Sequence, residues 1–150
     1  MMRWISFLVL FVSTFAYGQY EGYERIVHYH SDIRIQTNSE VLIHETIKVY
    51  AAGNNIKRGI FRDLPLSYEY KGGNHHVGFK LLSVEKDGKP EPYHTEWLSN
   101  GIRIYAGDAD IYLDPGFYTY VISYRVDHVL GYFNDFDEIY WKEMTTNVEM

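Results

Sequence analysis

The sequence contains no cysteine, and this absence excludes two common ways of stabilising or anchoring an exported protein. A disulfide framework is impossible, so the fold must be held together by packing alone. A lipoprotein anchor is excluded as well, because its lipid is attached to a cysteine. No second long hydrophobic run follows the one at the N-terminus. We therefore expect that this chain does not cross a membrane once that first run has been removed.

Positive charge is scarce and dispersed. The chain has 14 lysines and arginines against 20 aspartates and glutamates, a net charge of −6. Its largest basic group, Lys57 and Arg58 with Arg62, is small, whereas nucleic-acid binding requires many clustered cations. Nucleic acid is therefore not an expected partner. The sequence also lacks a nucleophile elbow, a phosphate-binding loop and a Cys–His pair, so we predict no enzyme activity and no cofactor.

The N-terminus has the pattern of a secretory signal peptide. Arg3 supplies the positive charge, residues 5–15 supply an apolar core, and Ala16 and Gly18 place small residues just before a cleavage site. We expect residues 1–18 to form a signal-peptide helix and residues 19–150 to form an extracytoplasmic domain. An uncleaved membrane anchor is the alternative, although the apolar run is shorter than the about 20 residues that a spanning helix needs.

Short strand patterns fill the rest of the chain. Tyrosine is abundant, with 15 residues, and favours strands over helices. Apolar and polar residues alternate along residues 26–36 and 116–126, among others. No segment of useful length has the periodicity of an amphipathic helix. The pair Asp87-Gly88 predicts a hairpin turn with residues 93–98 as its return strand. Seven or eight such strands with regular turns predict an all-β fold, an antiparallel β-sandwich.

Two segments between the strands carry further information. Residues 57–66 contain Pro65 and do not alternate cleanly, which argues against a central strand, and we interpret them as an ordered connection that crosses from one sheet to the other. Residues 67–75 are expected to form a polar loop. Within the crossing segment, the aromatic Phe61 and the acidic Asp63 are candidates for interaction with a partner.

The start of the last long strand carries a turn-and-tyrosine motif. The sequence Leu-Asp-Pro-Gly at residues 113–116 precedes Tyr118 and Tyr120. This arrangement resembles the tyrosine corner of immunoglobulin-like sandwiches, in which a tyrosine hydroxyl bonds back to the preceding connection. We therefore predict that the sandwich is immunoglobulin-like.

Glu45 occupies the middle of an otherwise apolar row in the strand pattern at residues 40–50. An isolated buried carboxylate is very costly, so Glu45 requires a cationic partner. Arg58 and Arg62 are the nearest candidates along the chain, and we interpret the pair as structural, fixing the crossing segment. A catalytic carboxylate is the alternative, but no second acid stands at a spacing typical of glycoside hydrolysis.

Two groups of residues have metal-binding chemistry without a recognisable spacing. His28 and His30 lie two apart on one strand face, and their charged neighbours indicate a solvated surface. The acidic loops around Asp108 and around Asp135 and Asp137 offer the oxygens that Ca²⁺ prefers, but they match no EF-hand. We predict no metal site and treat Asp135 and Asp137 as interaction candidates. Calcium binding would require the two loops to lie at the same end of the sandwich.

Three strings of the sequence carry a family resemblance. They are Val-Leu-Ile-His-Glu-Thr-Ile-Lys-Val-Tyr (41–50), Arg-Gly-Ile-Phe-Arg-Asp-Leu-Pro (58–65) and Gly-Asp…Tyr-Leu-Asp-Pro-Gly…Tyr…Tyr (107–124). Together they resemble the N-terminal domain of the predicted membrane proteins of domain of unknown function 2207, over residues 26–141. The resemblance implies an exported β-domain without enzyme activity, followed in typical members by transmembrane helices. It also implies a domain that is truncated at its C-terminus, because typical members continue with further strands.

The sequence as a whole predicts a non-enzymatic interaction or sensing module on the outer side of a membrane. Its membrane association would run through regions missing from this chain, and its partner would be a protein or a glycan at the outer membrane face. Two alternatives stay open. One is a secreted carbohydrate-binding module that presents exposed aromatic rings, and the other is a hydrolase that uses Glu45 or the acidic loops.

Overall fold

The computed structural model describes residues 22–70, 73–132, 135 and 137–139. Within these residues the chain forms twelve β-strands and no helix, so none of the described segments is a helix able to cross a membrane. The strands are β1 (Arg25–Ile35), β2 (Val41–Ala51), β3 (Gly59–Pro65), β4 (Ser67–Tyr70), β5 (Gly73–His76), β6 (Gly78–Lys86), β7 (Lys89–Pro90), β8 (Tyr93–Leu98), β9 (Gly101–Gly107), β10 (Gly116–Asp127), β11 (Leu130–Tyr132) and β12 (Asp137–Ile139).

Five strands form the larger sheet, in the order β1-β2-β10-β6-β7, and all neighbours are antiparallel. The two central strands follow the alternation of the sequence. Every second residue of β2 from Val41 to Ala51 is buried, and so are the residues of β10 that face the same way from Tyr120 to Val126. Because side chains of a strand alternate with a period of two, one face of this sheet packs into the core and the other faces solvent.

Three strands form the second sheet, in the order β3-β9-β8. Strand β3 also alternates, with Ile60, Arg62 and Leu64 buried and the residues between them facing outward. Our interpretation of this segment as a connection without a strand was therefore wrong. The strand lies at the edge of its sheet and ends at Pro65, a position where proline is tolerated because a central ladder is not interrupted.

The two sheets face each other across one core. Burial of a large aliphatic side chain contributes about 1.5–3 kcal/mol, and nearly all of the buried side chains here are aliphatic. The core consists of Val41, Ile43, Ile47, Val49, Ala51, Ile56, Ile60, Leu64, Leu66, Val77, Val84, Ile102, Ile104, Ala106, Tyr120, Ile122, Tyr124, Val126 and Val129. Both sheets contribute to it, so neither is expected to be stable without the other.

The turn at Asp87-Gly88 forms as predicted, with positive φ values of 50° and 75°, but its return strand differs from the prediction. The return strand is the two-residue β7, whereas residues 93–98 form β8 and pair with β9 in the other sheet. Pro90 and Pro92 account for the difference, because a proline has no N–H group to donate to a continuing ladder. The chain therefore leaves the larger sheet there and crosses to the smaller one.

Two hairpins were missed from the sequence. The polar loop expected at residues 67–75 is the hairpin of β4 and β5, and a second hairpin joins β11 to β12. All four residues of β5 are exposed, so its sequence carries no alternation that would have marked a strand. The final strand begins at Asp137 rather than Glu138, and residues 140 and 141 of the expected strand lie outside the described residues.

The prediction of an all-β, antiparallel fold is confirmed, and the two facing sheets are consistent with a β-sandwich. The predicted signal peptide lies outside the described residues.

One strand is incompletely covered. Tyr93 and Trp97 of β8 lie on the same side as the core residues of β9, yet 50% and 72% of their surfaces are exposed. The described part of the chain therefore covers this side of β8 only in part.

Candidate functional site

Glu45 of β2 lies inside the core with 1% of its surface exposed, and Arg62 of β3 reaches it from the opposite sheet. The guanidinium donates to both carboxylate oxygens, from Nε to Oε2 at 2.7 Å and from Nη2 to Oε1 at 2.8 Å. Arginine binds a carboxylate most strongly in this two-pronged geometry. Of the two arginine candidates, the structure therefore places Arg62 on Glu45, and the pair links the two sheets.

Two tyrosine hydroxyls complete the surroundings of Glu45. Tyr29 of β1 donates to Oε1 at 3.0 Å, and Tyr124 of β10 donates to the same oxygen at 2.8 Å. Burial, and then the charge of Glu45, raises the pKa of Tyr29 to about 12 and also raises the pKa of Tyr124. Burial acts to lower the pKa of Arg62, but the hydrogen bonds to Glu45 outweigh it and raise that pKa. Both tyrosines therefore keep the protons that they donate to Glu45, and Arg62 stays charged.

This buried cluster has the properties of a structural element. A catalytic carboxylate must come within hydrogen-bond reach of a substrate, whereas Glu45 and Arg62 are enclosed between the sheets. The third nitrogen of the Arg62 guanidinium is also used, because its Nη1 donates to the carbonyl oxygen of Asp63 at 3.1 Å. A buried pair whose hydrogen bonds are satisfied in this way fixes how the sheets lie on each other. Because a ligand cannot reach the pair, we expect ligand binding on other surfaces.

The outer face of the three-stranded sheet carries aromatic and charged side chains. The guanidinium of Arg103 on β9 lies 4.0 Å from the centre of the Phe61 ring on β3, and it donates to both carboxylate oxygens of Asp63 at 2.6 Å. The ring of Tyr105, also on β9, is 6.0 Å from that of Phe61 and 4.3 Å from that of His94 on β8. The predicted interaction residues Phe61 and Asp63 therefore lie together on this outer face.

A cleft of about 400 Å³ opens at one end of this face. Its floor lies where Gly59 of β3 pairs with Gly107 of β9, two positions without a side chain. Their φ values are 152° and 148°, and a Cβ atom on either glycine would collide with a backbone carbonyl oxygen of the facing chain segment. The close approach of the two segments therefore requires both glycines, and Phe61 and Tyr105 line the cleft beside them.

Two cations line the rim of the cleft. Lys57 and Arg58 precede β3, and the guanidinium of Arg58 lies 4.2 Å from the centre of the Tyr112 ring while also donating to the Tyr112 hydroxyl. Neither cation has a carboxylate partner among the described residues. Arg58, the other predicted candidate for Glu45, therefore belongs to the cleft instead. Asp108 lines the cleft as well, and its Oδ1 accepts the N–H of the residue two positions later.

The loop between β9 and β10 is held in place near its C-terminal end. The N–H of Leu113 donates to the carbonyl of Lys57 at 2.8 Å, and the hydroxyl of Tyr118 donates to the carbonyl of Asp114 at 2.8 Å. A bond from a tyrosine to a carbonyl four residues upstream is the contact expected of a tyrosine corner. Tyr120 instead points into the core, where burial raises the pKa of its hydroxyl, which has no partner within the described residues.

Three residues on the outer face of the larger sheet have the side chains of an acyl-transfer triad. Asp32, His44 and Ser123 lie side by side on β1, β2 and β10, with His44 Nδ1 2.8 Å from Ser123 Oγ. The carboxylate of Asp32, however, is bound by Arg34 at 2.9 and 3.2 Å. Ser123 lies in the middle of β10, which is paired on both sides, and it is buried, so it is not presented to a substrate. The row therefore reads as cross-strand packing.

The remaining predicted residues do not assemble into a site. Asp135 is exposed in a bend, and Asp137 begins β12, but its side chain lies outside what the structure describes. His28 and His30 stack on the outer face of β1 with their ring centres 6.4 Å apart. Among the described residues, no group of three or more histidine, aspartate or glutamate side chains is arranged to hold a metal ion.

Glu24 supports the approach to the cleft and was missed from the sequence. Partial burial acts to raise its pKa, but four backbone N–H groups outweigh this effect and lower it. The donors, at 2.6–3.1 Å, belong to Ala52, Asn54, Asn55 and Ile56. This segment leads from β2 to the cationic rim, so Glu24 helps to position it. No local sequence signal predicts that a carboxylate before β1 binds the turn after β2.

The geometry defines the chain as an antiparallel all-β domain with a buried ion pair between its sheets and an open cleft on one face. It belongs to the family described as predicted membrane protein (DUF2207) N-terminal domain, whose model matches residues 25–149. The resemblance drawn from the sequence is thereby confirmed, and the description of the family supports a location at a membrane.

One curated relative of this chain is uncharacterized protein YciQ of Escherichia coli (strain K12). The two are 31% identical over 139 residues, which cover 88% of this chain and 22% of YciQ. The chain thus spans less than a quarter of the length of that relative. No solved structure matches the chain.

Proposed function

We propose that this chain is a non-enzymatic recognition module on the outer side of a membrane, and that its partner binds in the cleft above Gly59 and Gly107. One observation carries the proposal. Aromatic faces and two cations without carboxylate partners in the described chain are presented together around an open concave surface. A mostly apolar hollow with a few polar groups is the usual form of a small-ligand site.

The membrane setting of the proposal rests on the family and on the N-terminal sequence. Residues 1–18 act as a signal peptide that delivers the domain to the outer side, and regions missing from this chain anchor it. The bond from Tyr118 to the Asp114 carbonyl supports an immunoglobulin-like form of the sandwich, because that bond pins the same kind of connection there. Such sandwiches commonly present their binding surfaces away from the core.

Hydrolysis has less support than recognition. Glu45 is enclosed between the sheets, and Ser123 is buried in the middle of a strand that is paired on both sides. Asp108 is the carboxylate of the cleft lining, and none of the other described residues that line the cleft is a carboxylate. Glycoside hydrolysis requires two carboxylates about 5–9.5 Å apart. The cleft is therefore better suited to holding a ligand than to cleaving one.

The proposal is tested by labelling introduced cysteines in the complete membrane protein, with any cysteines outside this chain replaced. Ser99→Cys lies in the exposed turn between β8 and β9, and Ala109→Cys lies on the rim of the cleft. A membrane-impermeant maleimide is applied to spheroplasts and to the purified protein. Ser99→Cys should react at the same rate in both. Ala109→Cys should react more slowly in spheroplasts, because an occupant covers the cleft.

The variant Phe61→Ala serves as the control, because it removes part of the cleft wall without touching either cysteine. In that background Ala109→Cys should react in spheroplasts as fast as in the purified protein. Labelling of Ser99→Cys only after lysis would contradict the location. Equal reactivity of Ala109→Cys in spheroplasts and in purified protein would contradict the recognition role of the cleft.

A further inference from the structure

We infer that the ligand of the cleft is an acidic saccharide, a sugar ring that carries a carboxylate or a sulfate group. The inference names the ligand class for the cleft and so rests on the proposed function. Three features of the cleft lead to it: stacked aromatic rings, cations without carboxylate partners in the described chain, and a floor of bare backbone. Each feature matches a different part of such a ligand.

The aromatic wall suits the apolar side of a sugar ring. His94 and Tyr105 stack with their planes 13° apart, and Phe61 is inclined at 51° to Tyr105. Rings inclined in this way offer both a face and an edge to a ligand of similar size. The floor at Gly59 and Gly107 carries no side chain, so the ligand ring can approach the backbone closely.

The rim supplies the charge that an acidic sugar requires. Arg58 is held over Tyr112 before any ligand arrives, so little side-chain freedom is lost when it binds an anion. Lys57 adds a second cation to the same rim. Hydrogen bonds between ionised groups are about twice as strong as neutral ones. The whole chain carries a net charge of −6, which disfavours anionic ligands. The two cations of the rim supply the local attraction that an anionic ligand needs.

The single carboxylate of the cleft distinguishes a sugar from a simple anion. Asp108 lines the cleft, and its Oδ1 accepts a backbone N–H, while Oδ2 makes no hydrogen bond within the described chain. An ionised carboxylate accepts hydrogen bonds and donates none. It therefore repels phosphate or sulfate ions but binds the hydroxyl groups of a sugar. A ligand that carries both an anionic group and hydroxyls satisfies the whole lining.

The test is a titration of the full 150-residue chain with defined probes. The trisaccharide of galacturonic acid is compared with its fully methyl-esterified form, which has the same rings and no charge, and a heparin disaccharide serves as the sulfated probe. Binding is measured by calorimetry and by two-dimensional NMR. We expect at least one acidic probe to bind. We expect the esterified trisaccharide to bind about tenfold more weakly than the acidic one, and salt to weaken acidic binding.

Variants then locate the binding. Arg58→Gln and Phe61→Ala should each weaken binding of the acidic probe by about tenfold, because they remove the anion contact and the ring contact respectively. Lys48→Gln is the matched control. Lys48 also lies over an aromatic ring, 5.6 Å from the centre of Phe117, but on the outer face of the other sheet. It should leave binding unchanged, and thermal melts establish that every variant is folded.

Each other outcome overturns the inference in a recognisable way. Equal binding of the acid and its ester would overturn the anionic class. No binding of either acidic probe at millimolar concentration would overturn the saccharide. Binding that Arg58→Gln and Phe61→Ala leave unchanged would place the sugar elsewhere. None of these results changes the cysteine-labelling rates, so the recognition role of the cleft stands or falls separately.

Discussion

Arg62 and Arg103 form the same kind of bond in two different surroundings. Each donates twice to a carboxylate, Arg62 to Glu45 and Arg103 to Asp63, at distances of 2.6–2.8 Å. Both partners of the first pair are 2% exposed, and both partners of the second are 26% exposed. Water can replace a lost partner only at the second pair. We therefore expect one geometry to have two very different effects on stability.

The largest expected effect comes from Arg62→Ala. The substitution leaves the carboxylate of Glu45 buried without a cation, and breaking a buried pair in this way costs about 3–5 kcal/mol. The free energy of unfolding in urea measures it. The double variant Glu45→Gln/Arg62→Met removes both charges and should recover much of the loss. A single variant as stable as the parent would mean that the pair does not hold the sheets together.

A smaller loss is expected from Tyr124→Phe, which removes a hydrogen bond to the buried carboxylate. Hydrogen bonds to charged groups contribute about 1.5–3 kcal/mol. Tyr120→Phe is the matched control, because Tyr120 lies on the same strand and is equally buried, but its hydroxyl has no partner in the described residues. It should leave stability unchanged or raise it. Equal losses for the two variants would show that ring packing, and not the bond to Glu45, sets the cost.

Glu24→Gln should have a pH-dependent effect of about 1 kcal/mol, the size typical of a carboxylate that caps backbone N–H groups. The pKa of Glu24 is lower in the folded protein than in the unfolded chain. Its contribution is therefore fully present above the unfolded pKa of about 4.3 and is lost as the pH falls through the lower folded pKa. Urea midpoints of parent and variant should differ at pH 7 and approach each other as the pH falls below about 4.3. A difference that is constant with pH would exclude this origin.

The smallest effect is expected from Asp63→Asn at the exposed pair. Exposed ion pairs contribute about 1 kcal/mol or less, and the loss should shrink further in 1 M salt, where the screening length is about 3 Å. Stability in urea with and without sodium chloride measures both quantities, and Arg62→Ala serves as the salt-insensitive reference. A loss at Asp63 close to that at Arg62 would mean that the outer face is far drier than its exposure indicates.

The sequence was sufficient to predict the buried pair but not to choose its cation. Glu45 in an apolar row demanded a partner, and both Arg58 and Arg62 were available. The choice depended on strand β3, whose alternation of Ile60, Arg62 and Leu64 points Arg62 inward, and Pro65 obscured that alternation. Local propensity cannot reveal an edge strand that ends in proline, because only the surrounding sheet shows that no ladder is interrupted.

The remaining parts of the site depend on contacts between distant segments. The bond from Tyr29 to Glu45 requires the register of β1 on β2, and the cleft requires Gly59 to face Gly107 across two strands. Glu24 likewise binds a turn that follows another strand. Alternation and turn residues describe one segment at a time, so they predicted most of the longer strands and the turn at Asp87-Gly88 but not these pairings.

Because the cleft floor depends on two facing glycines, its presence in another member of the family can be inferred from that member's sequence. A descendant that replaces Gly59 or Gly107 must move the opposite strand before its chain can close. The two positions are therefore expected to change together or not at all. Members of the family then sort into lineages with both glycines and lineages without them, and that division predicts which of them share a ligand.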